Sequence, residues 1–115
     1  MDIKQCYDEM GGDYADILAR LRNVSLIEKL IKKFETDTSM KDLEEGLKEK
    51  DVEKSFRAAH TLKGICLNLS LKQLVDDAVN ITEILRAGSL EGTEELFNKL
   101  KKEYDKTIDT IHKLG

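Results

Sequence analysis

The feature that most constrains this chain is the recurrence of apolar side chains every three or four positions through long stretches that contain no proline. Leu71, Leu74, Ala78, Ile81 and Leu85 form one such seam; Leu26, Ile27, Leu30, Ile31 and Phe34 form another, and Phe97, Leu100, Tyr104, Ile108 and Ile111 a third. That spacing gathers each set on one side of an α-helix, whereas a strand would scatter it over both faces. Leu, Lys, Glu, Asp and Ile dominate and aromatics make up only 5%, which also favours helices. With 115 residues the chain fits one domain, residues 1–115, around one core. The expectation is an all-α fold.

Helix punctuation divides the chain further. A short amphipathic piece carrying Ile3, Cys6, Tyr7 and Met10 stops at Gly11-Gly12, and another runs from Tyr14 to about Leu21. Residues 1–22 thus read as lid helices on a bundle formed by residues 23–115. From Ser25 the stripe to Phe34 breaks or kinks near Asp37-Thr38 and resumes with Met40, Leu43 and Leu47, making one interrupted arm. Asp51 suits the N-cap of the next helix, whose seam is Val52, Ala59, Leu62, Cys66 and Leu69, with Ser55 filling one place. That helix ends near Ser70, and Ser70-x-x-Gln73 reads as a capping box opening the next, which stops at Gly88. The last helix starts at Thr93, with Glu94 and Glu95 where the helix dipole favours them. Four long arms with short connections predict an up-down four-helix bundle with short additional N-terminal helices.

Charge and composition exclude several classes. The chain carries 19 basic and 23 acidic residues, net −4, with the signs interspersed, so no phosphate-backbone footprint is present and nucleic acid is not an expected partner. Unbroken apolar runs reach only three residues, as in Ile65-Cys66-Leu67, too short for a membrane span or a signal-peptide core. Cys6 and Cys66 stand far apart, with no CxxC or Cys/His cluster, which points to a reducing compartment and no metal site. A monomeric cytoplasmic protein without membrane contact is expected, and the Met1 start with a full set of helices points to a complete gene product.

The stretch AAHTLKGICLNLSLKQL, residues 58–74, holds an anomaly: Gly64 stands inside a helix, where glycine costs about 1 kcal/mol relative to alanine. His60, one helical turn earlier, follows the seam residue Ala59 and so lies about 100° round the helix from the buried line, at its rim. Its turn neighbours are Phe56, Arg57, Lys63 and Gly64, and Lys54 and Lys72 extend the local positive charge. Such a place suits an anion. A neutral histidine, with an unperturbed pKa of about 6.5, offers one unprotonated ring nitrogen as a nucleophile for a phosphoryl group. Lys63 lies on the same helix face and is placed to neutralise phosphoryl oxygens. Gly64 removes a side chain that would crowd the imidazole and stand in the path of a docking partner. Arg57 reads as a solvated-face residue whose position permits a role in docking, Cys66 as core packing, and His112 as a favourable charge at a helix C-terminus.

The segment FRAAHTLKG, residues 56–64, closely resembles the signature of histidine-containing phosphotransfer (HPt) domains of two-component phosphorelays. GGDYADILARL, residues 11–21, and the helix after Ser70 also resemble those of small free-standing bacterial HPt proteins. The resemblance implies a four-helix bundle in which His60 accepts a phosphoryl group and exchanges it with the aspartate of a response-regulator receiver domain, a sensor or hybrid kinase being the phosphoryl source. Lys63 and Gly64 then fill the family's lysine and glycine places. It further implies that the carrier needs no cofactor, magnesium being held by the receiver, and that it has no ATP-dependent activity of its own. Family members often have glycine where Ser70 stands, and many place glutamine or glutamate where Thr82 stands, so Thr82 is the candidate for orienting the imidazole. The alternative to a carrier is an HPt-like interaction bundle that docks a receiver or another signalling protein without being phosphorylated. No P-loop, kinase-type glycine loop, Ser/His/Asp arrangement or metal-ligand cluster is visible to support an autonomous enzyme.

Overall fold

The protein is described by a computed structural model over residues 1–114, and these fold into helices without strands. The helices are α1 (Ile3–Met10), α2 (Tyr14–Leu21), α3 (Val24–Phe34), α4 (Ser39–Lys48), α5 (Val52–Asn68), α6 (Lys72–Arg86) and α7 (Thr93–His112). The helical bundle expected from the periodicity is present, with α3 and α4 as the interrupted arm and α5, α6 and α7 as the others. No helix among the described residues is long and apolar enough to cross a membrane.

Local chemistry sets most boundaries. Asp2 and Gln5 close a reciprocal capping box on α1, which ends at Gly11 in left-handed conformation (φ 69°). Asn23 caps α3 through Leu26 N–H at 3.0 Å. Asp51 caps α5 through Lys54 N–H at 3.0 Å, as its sequence position predicts. The break between α3 and α4 falls at residues 35–38, where Asp37 accepts from the backbone N–H of Ser39 at 3.0 Å.

The expected Ser70 capping box does not form. Leu71 occupies the N-cap of α6 with no side-chain hydrogen bond, and Ser70 is the preceding residue, held at φ 55°. Its hydroxyl instead faces α2: it donates to Asp16 Oδ2 at 2.5 Å and accepts from the Arg20 guanidinium at 2.7 Å. A left-handed backbone at this turn favours glycine, and here a serine occupies it. Gln73 packs its side chain against Gly11, so it does not reach back to cap the helix.

The α5–α6 junction is the anchor for the N-terminal helices. Tyr7 O–H donates to Leu69 C=O at 2.7 Å, Asp13 N–H donates to Ser70 C=O at 2.8 Å, and Arg20 donates to Asn68 C=O at 2.9 Å. Burial pushes the Tyr7 phenol far above its ordinary value, so it stays a donor. The lid helices also contribute to the core itself. Ile3, Cys6, Tyr7 and Met10 of α1 are buried with Ile27, Ile31, Leu62, Leu100 and Ile111 in one cluster.

α5 lies between α4 and α6, and small side chains let it sit close. Ala58 and Ala59 are buried, and Gly46 of α4 meets Ser55 of α5 so tightly that a Cβ on Gly46 would stand 2.9 Å from Ser55 N and 3.1 Å from its Cα. Ser55 is fully buried and its hydroxyl finds no partner among the described residues. On the other side, α6 is tied to α7 by the buried Asp77, 3.4 Å from Lys99 Nζ.

Two measurements test these contacts. Gly46→Ala should destabilise the protein by about 1–3 kcal/mol despite alanine's better helix propensity, because backbone of α5 has to move. Ser55→Ala should leave stability unchanged or raise it by about 1 kcal/mol, since it removes an unsatisfied buried hydroxyl; urea denaturation of both variants reads the two signs. The α2 anchor also carries a pH signature. The Asp16 N–H and then Lys72 hold the Asp13 carboxyl below its usual range, while the Ser70 hydroxyl and then Arg20 do the same for Asp16. Groups with a depressed folded pKa stabilise fully above the unfolded aspartate value of about 4 and lose that contribution as pH falls through the folded values. The urea midpoint should therefore drop on acidification, and Asp16→Asn should make the drop shallower.

Candidate functional site

His60 lies on the outward face of α5, exposed, with no hydrogen bond to either ring nitrogen among the described residues. The placement follows from the register of the helix: Ala59, Leu62 and Cys66 are fully buried, and His60 is rotated off that line towards solvent. Phe56, one turn earlier, stacks on the imidazole with ring centroids 5.7 Å apart and planes 19° from parallel. Lys63, one turn later, is partly buried and makes no ion pair among the described residues. Above Gly64 there is open space, since a Cβ built there would meet nothing within 4 Å. Leu67 continues the same face and is 51% exposed, a large apolar side chain left in water two turns beyond the histidine.

The remaining charges are arranged differently from the sequence expectation. Arg57 points along the helix to Glu53 at 3.6 Å, both side chains well exposed, and lines a shallow depression with Asp37, Asp42 and Thr61 on the α4 side. Lys54 does not extend the positive patch: it is held by Glu49 at 2.7 Å and Glu45 at 3.7 Å, and these carboxylates raise its pKa. Lys72 is likewise drawn away, to Asp13 at 3.1 Å. In their place stands a cation that sequence reading did not single out. Arg86, near the end of α6, lies over the Phe56 ring with its guanidinium carbon 5.1 Å from the centroid, and pairs with Glu83 at 3.4 Å.

Thr82 is not placed to hold the imidazole. Its side chain is fully buried and its hydroxyl donates to Ala78 C=O of its own helix at 2.6 Å. A threonine hydroxyl reaches back one turn readily, and here that intrahelical bond takes its only proton.

The other singled-out residues are quiet. Burial pushes the Cys66 thiol up to about 12 and the Cys6 thiol to about 11, so both are inert core residues. His112 Nδ1 lies 2.9 Å from Glu35 Oε2, joining the end of α7 to the end of α3 in addition to its position at a helix C-terminus. A groove of about 700 Å³ between α2, α3 and α5 is lined by Leu21, Leu30, Phe34, Ile65 and Leu69, and His60 is not among its lining residues.

Phe56 was visible in the sequence as a turn neighbour of His60, because positions four apart share a helix face. Arg86 was not visible, since nothing local links residues 26 positions apart on two helices. Neither the curated proteins nor the solved structures contain a significant match to the chain. A family model described as the Hpt domain matches residues 26–110, from the first turn of α3 to the last turns of α7. Hpt domains carry out histidine phosphotransfer in phosphorelay signalling, as phosphoryl carriers working with two-component partners. With the match spanning most of its length and an exposed histidine on the central helix, this chain belongs to the Hpt domain family.

Proposed function

We propose that this protein is a phosphorelay carrier that accepts a phosphoryl group on His60 and exchanges it with the aspartate of a response-regulator receiver domain. The observation that carries the reading is the surface around His60: an exposed imidazole, the unpaired Lys63 one turn on, and open space over Gly64. The histidine stands on a convex helix face. A convex face has no walls with which to enclose a small substrate, but it suits insertion into the active site of another protein.

In the transfer, the Nε2 lone pair forms an N–P bond as the O–P bond of the receiver's aspartyl phosphate breaks. The electron pair of that bond leaves on the aspartate carboxylate, and the imidazole keeps its Nδ1 proton or passes it to water. Reversal returns the group to a receiver. Lys63 is placed to offset charge on the phosphoryl oxygens as they approach. Magnesium is expected on the receiver, and this chain supplies the nucleophile and the docking face. A sensor or hybrid kinase is the phosphoryl source of the relay, and the setting is the cytoplasm.

Incubation with a phosphorylated receiver should label the protein with an acid-labile, base-stable phosphoryl group. His60→Gln should abolish the label and His112→Gln should retain it; full labelling of the His60→Gln protein would overturn the assignment. Lys63→Ala should keep the fold and slow single-turnover transfer by about tenfold or more. Gly64 separates stability from docking. Gly64→Ala should stabilise the protein by about 0.4–1 kcal/mol, because the helix gains propensity and the added methyl meets nothing. Gly64→Gln should be thermally no weaker, yet transfer poorly with a receiver and nearly normally with phosphoramidate, a donor that needs little clearance. Normal exchange of Gly64→Gln with its receiver would make the glycine incidental.

A further inference from the structure

A nucleophile reacts efficiently only when it is held in the attacking orientation, and misplacement by about 1 Å can cost a hundredfold in rate. His60 hangs from an exposed helix face, and no hydrogen bond fixes its ring. Thr82, at the place where an orienting side chain was expected, has committed its hydroxyl to Ala78. Something else has to limit the imidazole.

The contact that does so is aromatic. The Phe56 and His60 rings lie 19° from parallel with centroids 5.7 Å apart, within the range of an offset stack. Stacking restrains the plane of the imidazole through its face. Both ring nitrogens sit on the edge, so the single in-plane lone pair stays free to attack and the other nitrogen keeps its proton. Phe56 is in turn restrained from α6: the Arg86 guanidinium lies 5.1 Å from its centroid, an attraction between a cation and the ring quadrupole. Glu83, 3.4 Å from Arg86, is its ion-pair partner on the same helix.

We propose that Phe56, held by Arg86, is the positioning residue for the His60 imidazole, orienting it by stacking in place of a hydrogen bond from α6. The inference rests on the reading of His60 as phosphoacceptor. Through this chain of contacts α6 influences the nucleophile by way of Phe56. Phe56 is partly buried against the core and Arg86 is exposed, so the two can be altered with different structural consequences.

The test joins NMR of the histidine ring protons, recorded without any phosphoryl donor, to single-turnover transfer from a phosphorylated receiver and from phosphoramidate. In the unaltered protein the Phe56 ring current should displace the His60 ring protons from the positions of a free exposed histidine. Phe56→Leu should return them to the positions of a free exposed histidine and slow transfer from both donors by about two- to tenfold, the range by which one aromatic pair biases a rotamer population. The half-saturating receiver concentration should stay unchanged. Phe56→Tyr should restore both shift and rate, and Arg86→Gln should lower both partway with the circular dichroism melting midpoint intact. A folded Phe56→Leu protein that transfers at the normal rate would overturn the proposal. So would His60 ring protons at free-histidine positions in the unaltered protein, a result that needs no variant to fold. Failure of the unaltered protein to be labelled would overturn the phosphoacceptor reading and this proposal with it. Failure of positioning alone would leave labelling intact while the ring shifts are those of a free histidine.

Discussion

The close seating of α5 between α4 and α6 is the constraint on which the rest of this structure depends. It is made by small residues: Gly46 against Ser55 on one side, and Ala58 and Ala59 along the buried line. Larger side chains at these places would push the helices apart and turn α5 on its axis. Because Ala59, Leu62, Cys66 and Leu69 are locked inward, the opposite side of the helix is left to solvent, and His60 and Leu67 lie exposed on it with the half-buried Gly64 between them. The cost of the arrangement is visible in the Ser55 hydroxyl, buried with no partner at the point of closest approach.

Electrostatics shapes that exposed side further. The chain is acidic overall, yet carboxylates elsewhere withdraw Lys54 and Lys72 from the neighbourhood of the histidine. Lys63 is left unpaired, and Arg86 is turned onto Phe56 with Glu83 at its side. The surroundings of His60 therefore hold a few placed cations in place of a diffuse positive field.

The N-terminal helices serve the same helix from its far end. The junction after Asn68 must reverse direction in three residues, which leaves backbone carbonyls at Asn68, Leu69 and Ser70 without helical partners. Arg20, Tyr7 and the Asp13 N–H supply the donors. The left-handed Ser70 is tolerated because its hydroxyl gains Asp16 and Arg20 in exchange. α1 and α2 thus finish α5 as well as covering the bundle, and their removal would expose both core and unpaired carbonyls.

Much of this was legible in the sequence because it is local. Seam spacing, the Asp51 cap, the Gly11 and Gly88 stops and the rim position of His60 all follow from helix geometry within a few residues. His60, Lys63 and Gly64 share a face because three and four residues make about one turn. What the sequence could not determine is how neighbouring helices allot shared side chains. Ser70 looks like a capping serine until α2 supplies a better partner for its hydroxyl. Thr82 looks like an orienting group until its burial and its own Ala78 carbonyl claim it. Lys54 and Lys72 look like site cations until α4 and the start of α2 provide carboxylates. Arg86 has no local signal at all, and becomes a neighbour of the site only when α6 packs beside α5. Periodicity specifies which face of a helix is buried, whereas the partners of a long or polar side chain depend on which other helix arrives there, and that is decided only by the tertiary fold.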